Sequence, residues 1–265
     1  MDWTLIPAFI ALGCVIGFLA GLLGIGGGMT MVPLLTLAFV AQGFAPERVV
    51  HIAIATAIAV TVLTSLSSVR AHHAHGAVLW SVWRLLVPGI VLGSLLGPQI
   101  VKGLSTQLLA AIFAVIAAVT ATQMLIDRKP RAARELPGKL GMYGAGFGIG
   151  LISSMFGAGG AFISVPFMTW CNIRIHNAVA TSAALGLPIA VAGTIGFVIA
   201  GLREVGLPPY SVGYVYLPAL VTISVGSVLL APVGARLAHR WPVKKLRRAF
   251  ACLLYILAAV MVWKA

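Results

Sequence analysis

Apolar runs separated by short clusters of charge, glycine and proline fill the chain from end to end. Five runs lie in the first half, near 5–23, 29–41, 49–69, 83–101 and 107–126. Five more follow, near 140–156, 161–171, 177–200, 212–235 and 247–263. A helix needs about 20 apolar residues to cross a bilayer core. The second run of each set has only about 11–13, roughly 17–20 Å of helix. The pattern predicts an all-α polytopic membrane protein of about ten hydrophobic segments, with the short ones either crossing or re-entering.

The halves repeat. Ile16-Gly17-Phe18 through Gly24-Ile25-Gly26-Gly27-Gly28 to Val32-Pro33 aligns without gaps on Ile149-Gly150-Leu151 through Gly157-Ala158-Gly159-Gly160-Ala161 to Val165-Pro166. His51-Ile52-Ala53-Ile54-Ala55-Thr56 matches His176-Asn177-Ala178-Val179-Ala180-Thr181, and Gly93-Ser94 matches Gly226-Ser227. So many matches in one order indicate a duplicated helical unit. The expected organisation is an N-terminal transmembrane repeat (1–126), a basic cytoplasmic linker (127–139) and a C-terminal transmembrane repeat (140–265).

Arginine and lysine orient the segments. The loops carrying Arg128, Lys129, Arg131, Arg134 and Lys139, and Arg236, Arg240, Lys244, Lys245, Arg247 and Arg248, should both be cytoplasmic. Counting back from them places Arg70 and Arg84 inside and both termini outside. Each half then crosses an odd number of times, so the two halves are inverted relative to one another. The parity is the same if the first two segments of each half form a re-entrant hairpin.

Composition narrows the function. Of 265 residues, 60% are hydrophobic and 9% charged, against about 25% charged in a typical soluble domain. The longest polar stretches, 69–84, 127–139, 201–211 and 236–248, are far shorter than the roughly 50 residues of a small domain. A soluble catalytic, nucleotide-binding or nucleic-acid-binding domain is excluded. The net charge of +13 reads as topology, with anionic lipid and small anions attracted secondarily. MDWTLIPAFIALG lacks a basic leader and should be a retained first helix. Cys14, Cys171 and Cys252 lack metal-ligand spacing and read as reduced small hydrophobes.

Candidate chemistry lies at the duplicated glycine clusters. Glycine permits positive φ, and proline removes an N–H, so 24–33 and 157–166 should be broken-helix elements. Exposed amides cost several kcal/mol in lipid, so such a break is either buried in protein or lines a wet cavity. The short helix after each break offers free N–H groups and a partial positive charge, a site for an anion. Candidate binding residues are Gly24, Gly26, Gly27, Gly28, Met29 and Thr30 in the first half. In the second they are Gly157, Gly159, Gly160 and Ala161. Tight helix packing is the alternative use of such glycines. Thr56, Thr181, Ser153, Ser154 and Ser182 could supply hydroxyls, and His51 and His176 a proton or anion relay. Alternatively these histidines cap backbone or meet water, and the threonines bond back to their own helices. His72, His73 and His75 lie near Arg70 without a neighbouring acid or cysteine, and read as a solvated cytoplasmic turn rather than a metal site. No metal or cofactor is expected.

All five acids, Asp2, Glu47, Asp127, Glu135 and Glu204, fall at termini or in loops. Cation-driven carriers usually rely on intramembrane carboxylates, so an anion path of amides and hydroxyls is favoured. An inside-negative potential contributes about 2.3 kcal/mol per charge per 100 mV to a departing anion.

Gly21-Leu22-Leu23-Gly24-Ile25-Gly26-Gly27-Gly28 with Val32-Pro33, its partner at 154–166, Ala55-Thr56/Ala180-Thr181, and Leu207-Pro208-Pro209-Tyr210-Ser211-Val212-Gly213-Tyr214 before Leu217-Pro218 resemble the sulfite exporter TauE/SafE family. The resemblance covers essentially the whole chain. It implies a bacterial inner-membrane permease for small anions, with sulfite and organosulfonates such as sulfoacetate as substrates, and no enzymatic activity. A membrane scaffold without transport is the competing reading, and an intramembrane enzyme a weaker third, since Ser, Cys and His are scattered. A polar cavity between the breaks would favour the carrier, and a dry packed interface the scaffold. The expected partners are a small anion and membrane lipid; a homo-oligomer is left open.

Overall fold

The computed structural model describes residues 5–23, 28–74, 76–126, 135–238 and 243–264. Ten helices among them follow the ten apolar runs: α1 (Leu5–Leu23), α2 (Gly28–Ala41), α3 (Val49–Ala74), α4 (Trp80–Lys102), α5 (Thr106–Ile126), α6 (Lys139–Met155), α7 (Ala161–Trp170), α8 (Ile175–Gly201), α9 (Leu217–Ala238) and α10 (Val243–Lys264). Within α3, α4, α5 and α8 the apolar stretch is long enough to cross a bilayer unaided. The chain is an all-α polytopic membrane protein.

Two boundaries differ from the sequence reading. α3 continues past Arg70 to Ala74, so His72 and His73 sit in its last turn rather than in a loop, and His75 lies outside the described residues. Nothing in Val-Arg-Ala-His-His-Ala stops a helix. Gly76 does, with φ of 64° and its N–H on the His73 carbonyl at 2.9 Å. α9 begins at Leu217 because the preceding residues form a small hairpin, β1 (Ser211–Val212) antiparallel to β2 (Val215–Tyr216).

The core is mainly apolar, as in a soluble protein, but the outer face is apolar as well. Large apolar side chains such as Leu92, Val115, Ile195, Val221 and Leu229 face outward, while Thr56, Thr61, Ser153, Ser164, Ser182 and Ser94 are buried. Lipid takes up the outer face without cost, so cohesion between helices comes from close packing and buried hydrogen bonds.

Glycines make the closest approaches. A Cβ on Gly13 or Gly17 of α1 would overlap the backbone of Ile223 or Ser227 of α9. A Cβ on Gly146 or Gly150 of α6 would likewise overlap Leu86 or Ile90 of α4, and one on Gly89 or Gly93 would overlap Tyr143 or Phe147. In both pairs the contacts advance together, so α1 runs parallel to α9 and α6 parallel to α4. The first helix of each half therefore lies along the fourth helix of the other. The hydroxyl of Ser94 adds a bond to the Gly150 carbonyl at 3.2 Å. At the centre α3 meets α8 with opposite sense, Ile58 beside Gly193 and Ser65 beside Gly186. α5 meets α10 through a 2.6 Å hydrogen bond between the Thr122 and Tyr255 hydroxyls.

Candidate functional site

The break between α6 and α7 is built from two left-handed glycines. Gly157 has φ of 63° and Gly160 φ of 80°, values an L side chain adopts only with strain. The Ala158 amide bonds back to the Ser153 carbonyl at 3.1 Å, and the Gly157 amide to Ser154 at 3.4 Å, closing α6. The chain then restarts as α7. The Gly160 carbonyl accepts the amides of Ile163 (3.1 Å) and Ser164 (2.9 Å), and also the Ser164 hydroxyl at 2.9 Å.

Since Ser164 donates its proton to a carbonyl, Ser182 must be the donor in the 2.6 Å contact between the two hydroxyls. Ser182 keeps its lone pairs. Among the described residues, the amides of Gly159, Gly160, Ala161 and Phe162 have no acceptor, and no side chain caps α7. These are the free donors of a helix N-terminus, at its positive dipole end.

This end lies beside the middle of α3 and of α8. The nearest atom a Cβ on Gly159 would meet is the Thr61 methyl at 3.8 Å, so there is room over this residue. A Cβ on Gly186 would be 3.1 Å from the Ser65 hydroxyl and 3.4 Å from the Gly159 carbonyl, and one on Gly160 3.2 Å from the Ser153 hydroxyl. Ser153 is fully buried and, among the described residues, its hydroxyl has no partner. Such a group costs about 1–3 kcal/mol unless something pairs with it. Amides, an unpaired hydroxyl and no carboxylate make a lining suited to an anion.

The first break reaches the same region. Gly28, Met29 and Thr30 form the buried first turn of α2, and Gly24, Gly26 and Gly27 lie outside the described residues. A Cβ on Gly28 would overlap the Gly157 carbonyl and come within 2.9 Å of the Ala158 Cα. The Gly28 and Gly157–Ala158 parts of the two breaks are thus packed together without a gap, which is the arrangement expected of the scaffold rather than the carrier; the space over Gly159 lies to one side of this contact.

The remaining candidates have other tasks. Thr56 accepts the Tyr216 amide at 3.1 Å and Thr181 the Leu79 amide at 2.9 Å. Each receives the residue just before the fourth helix of the opposite half, rather than bonding back to its own helix. Ser154 donates to the Leu151 carbonyl at 3.0 Å. Ala161 is partly exposed at the start of α7. The two histidines do not come together, because antiparallel α3 and α8 put them at opposite ends. His51 is buried, its Nε2–H shared between the carbonyls of Val101 and Leu104, both at 3.1 Å, at the end of α4. His176 is exposed. His73 packs edge-on against Trp80, and the described residues contain no metal-ligating cluster.

Thr61, Ser65, Ser164 and Gly186 belong to the site and do not stand out in the sequence. The one available signal is the one-turn spacing of Thr61 and Ser65 in an otherwise apolar run. A second group is equally silent in sequence. Glu204, only 12% exposed, pairs with Arg48 at 2.6 Å and Lys102 at 3.2 Å, tying together the loop after α2, the end of α4 and the loop after α8. Burial raises the Tyr214 phenol above its ordinary value, so it stays neutral beside Arg48 and under the His51 ring.

Ten apolar helices with a few buried hydroxyls beside the α6–α7 break define a polytopic helical membrane protein. A profile of the family described as sulfite exporter TauE/SafE matches residues 9–261. The chain belongs to that family, a family of membrane transporters. It is 32% identical over 263 residues to a probable membrane transporter protein of Haemophilus influenzae, covering 99% of this chain and 100% of that one. It is 28% identical over 241 residues to the probable membrane transporter protein YdhB of Bacillus subtilis (88% and 91% covered). With a probable membrane transporter protein of Methanocaldococcus jannaschii it shares 24% identity over 259 residues (97% and 95%). No solved structure gives a significant match.

Proposed function

We propose that this chain exports a small anion, sulfite or an organosulfonate such as sulfoacetate, across the bacterial inner membrane by alternating access. The anion is held near the midplane by the free amides of Gly159–Phe162 and the Ser153 hydroxyl, while Ser182 and Thr61 spend their protons on Ser164 and on the Ala57 carbonyl. The α2 break approaches from the other half. The observation that carries this reading is the uncapped α7 N-terminus beside a buried, unpaired Ser153 hydroxyl, with room over Gly159. An oxyanion satisfies all of these groups at once and needs no buried lysine.

The exchanged packing of first and fourth helices and the opposed course of α3 and α8 support two inverted halves that rock against one another. The even number of helices between the two basic loops, α6 to α9, supports termini outside and both loops in the cytoplasm. The basic cytoplasmic loops raise the local anion concentration, and the membrane potential drives the anion outward.

The test is flux in liposomes containing the purified protein. Under an imposed inside-negative potential, sulfite or sulfoacetate should leave the vesicles, and reversing the potential should reverse the flow. If sulfite, sulfoacetate and acetate neither move nor bind, the substrate class is wrong and the scaffold reading gains.

A further inference from the structure

α6 carries two glycine faces, and only one of them is used for packing. Gly146 and Gly150 touch the backbone of α4, whereas a Cβ on Gly144 or Gly148 would meet no atom within 4 Å. In the first repeat the corresponding positions of α1 are Ala11 and Val15, so the open glycine face is peculiar to the second. Beside it, between α4 and α6 on the outer face, lies a groove of about 440 Å³. Its walls are Pro88 and Leu92 on one side and Tyr143 and Phe147 on the other, with Gly89 and Gly144 between, and nearly all its surface is apolar.

Both walls end in a cation. Arg84, Pro88 and Leu92 follow one another at one-turn intervals along α4, and Lys139, Tyr143 and Phe147 do the same along α6. The helices are parallel, with Gly89 beside Tyr143 and Gly93 beside Phe147. The same offset sets Arg84 beside Gly138, next to the first residue of α6, Lys139. Both are exposed, and among the described residues neither forms an ion pair; Glu135, one turn before Lys139, is exposed and unpaired as well.

We propose that this groove binds an anionic glycerophospholipid, one acyl chain lying over Gly89 and Gly144 and the phosphate held between Arg84 and Lys139. The geometry supplies what such a lipid needs: a narrow apolar trough on the membrane-facing side, and two basic groups at the same end, able to reach the headgroup layer. Arginine pairs with phosphate through two N–H groups, and Tyr143 is of the type that sits at the membrane interface. A neutral lipid would fill the trough but draw nothing from the cations. A second copy of the chain, related by an axis along the membrane normal, would bring its own Arg84 and Lys139 to the same level, like charge against like.

Native mass spectrometry of the purified full-length protein, titrated with palmitoyl-oleoyl phosphatidylglycerol or phosphatidylcholine, tests this. At about 1 kcal/mol per basic residue, two residues should favour phosphatidylglycerol by roughly 30-fold. Arg84→Gln with Lys139→Gln should abolish that preference, while Arg174→Gln, a cation that does not line the groove, keeps it. Gly144→Leu projects into empty space, so it should leave the melting temperature unchanged and weaken binding of both lipids. Equal binding of the two lipids, a preference that survives loss of Arg84 and Lys139, or unchanged binding in Gly144→Leu would each overturn the proposal. So would a lipid-free dimer that Gly144→Leu dissociates, which would make the occupant a second copy.

Discussion

The two broken-helix units share their glycines and their Val-Pro, yet they sit in opposite surroundings. Nine residues of α2 are buried, against Ser164 and Met168 alone in α7. The alignment of the repeats sets Met31 opposite Ser164 and Ala57 opposite Ser182, so the hydroxyl pair of the second unit is a methionine and a methyl in the first. Ser153 likewise faces the second break, with Ala20 at the matching place in the first. The two copies of a duplicated scaffold have diverged. α2 is the more buried of the two, while a pair of contacts common to both halves, Thr56 and Thr181 at the entries to the fourth helices, joins them.

The difference can be broken or sharpened by treating matched positions alike. Gly28→Ala drives a methyl into the Gly157 carbonyl, and overpacking of this kind should cost about 3 kcal/mol of unfolding free energy. The reciprocal change, Ala161→Gly, should cost less than about 1 kcal/mol, since Ala161 is partly exposed. Chemical unfolding in mild detergent separates the two, and equal losses would mean the breaks are packed equivalently. Next, His51→Ala removes a buried ring that stacks on Tyr214 and serves two carbonyls, a loss of about 2 kcal/mol. His176→Ala should stay within about 0.5 kcal/mol. A pH- and flux-sensitive phenotype in the His176 variant, matching one in His51, would restore the two as a functional pair.

The third matched pair should show two losses of similar size. Thr56→Val and Thr181→Val each leave a backbone amide without its acceptor, about 1–2 kcal/mol, with Thr56 at the upper end because the Tyr216 amide is the more buried. A loss at one threonine only would show that the exchanged contacts are not equivalent.

Much of the fold is legible in the sequence because a bilayer leaves few choices. Backbone groups must pair within the segment, so an uninterrupted apolar run of sufficient length becomes a helix. That reasoning locates all ten described helices and the glycine break at 157–160; residues 24–27 lie outside the described residues. It misses the extension of α3 to Ala74, where charge suggests a loop although nothing there opposes helix, and the short hairpin before α9. The departure of Ala161 from Gly28 has no evident meaning in sequence; the structure explains it, since only Gly28 presses on the opposite break. Thr61, Ser65 and Ser164 are invisible because a hydroxyl in an apolar run has the same signature whether it bonds back to its own turn or faces a neighbour. The unequal burial of His51 and His176 depends on which helix end each meets, a property of packing alone.

The most direct measurement is sulfite flux through Gly159→Val beside the unsubstituted protein in the same liposome preparation. Valine at this position meets only the Thr61 methyl at its Cβ and needs no left-handed backbone, so folding and melting temperature should be preserved. The side chain fills the space over the free amides of α7, and flux should fall at least about 100-fold, the loss of roughly 3 kcal/mol of anion stabilisation. Undiminished flux in a folded Gly159→Val protein would contradict an anion site at the second break.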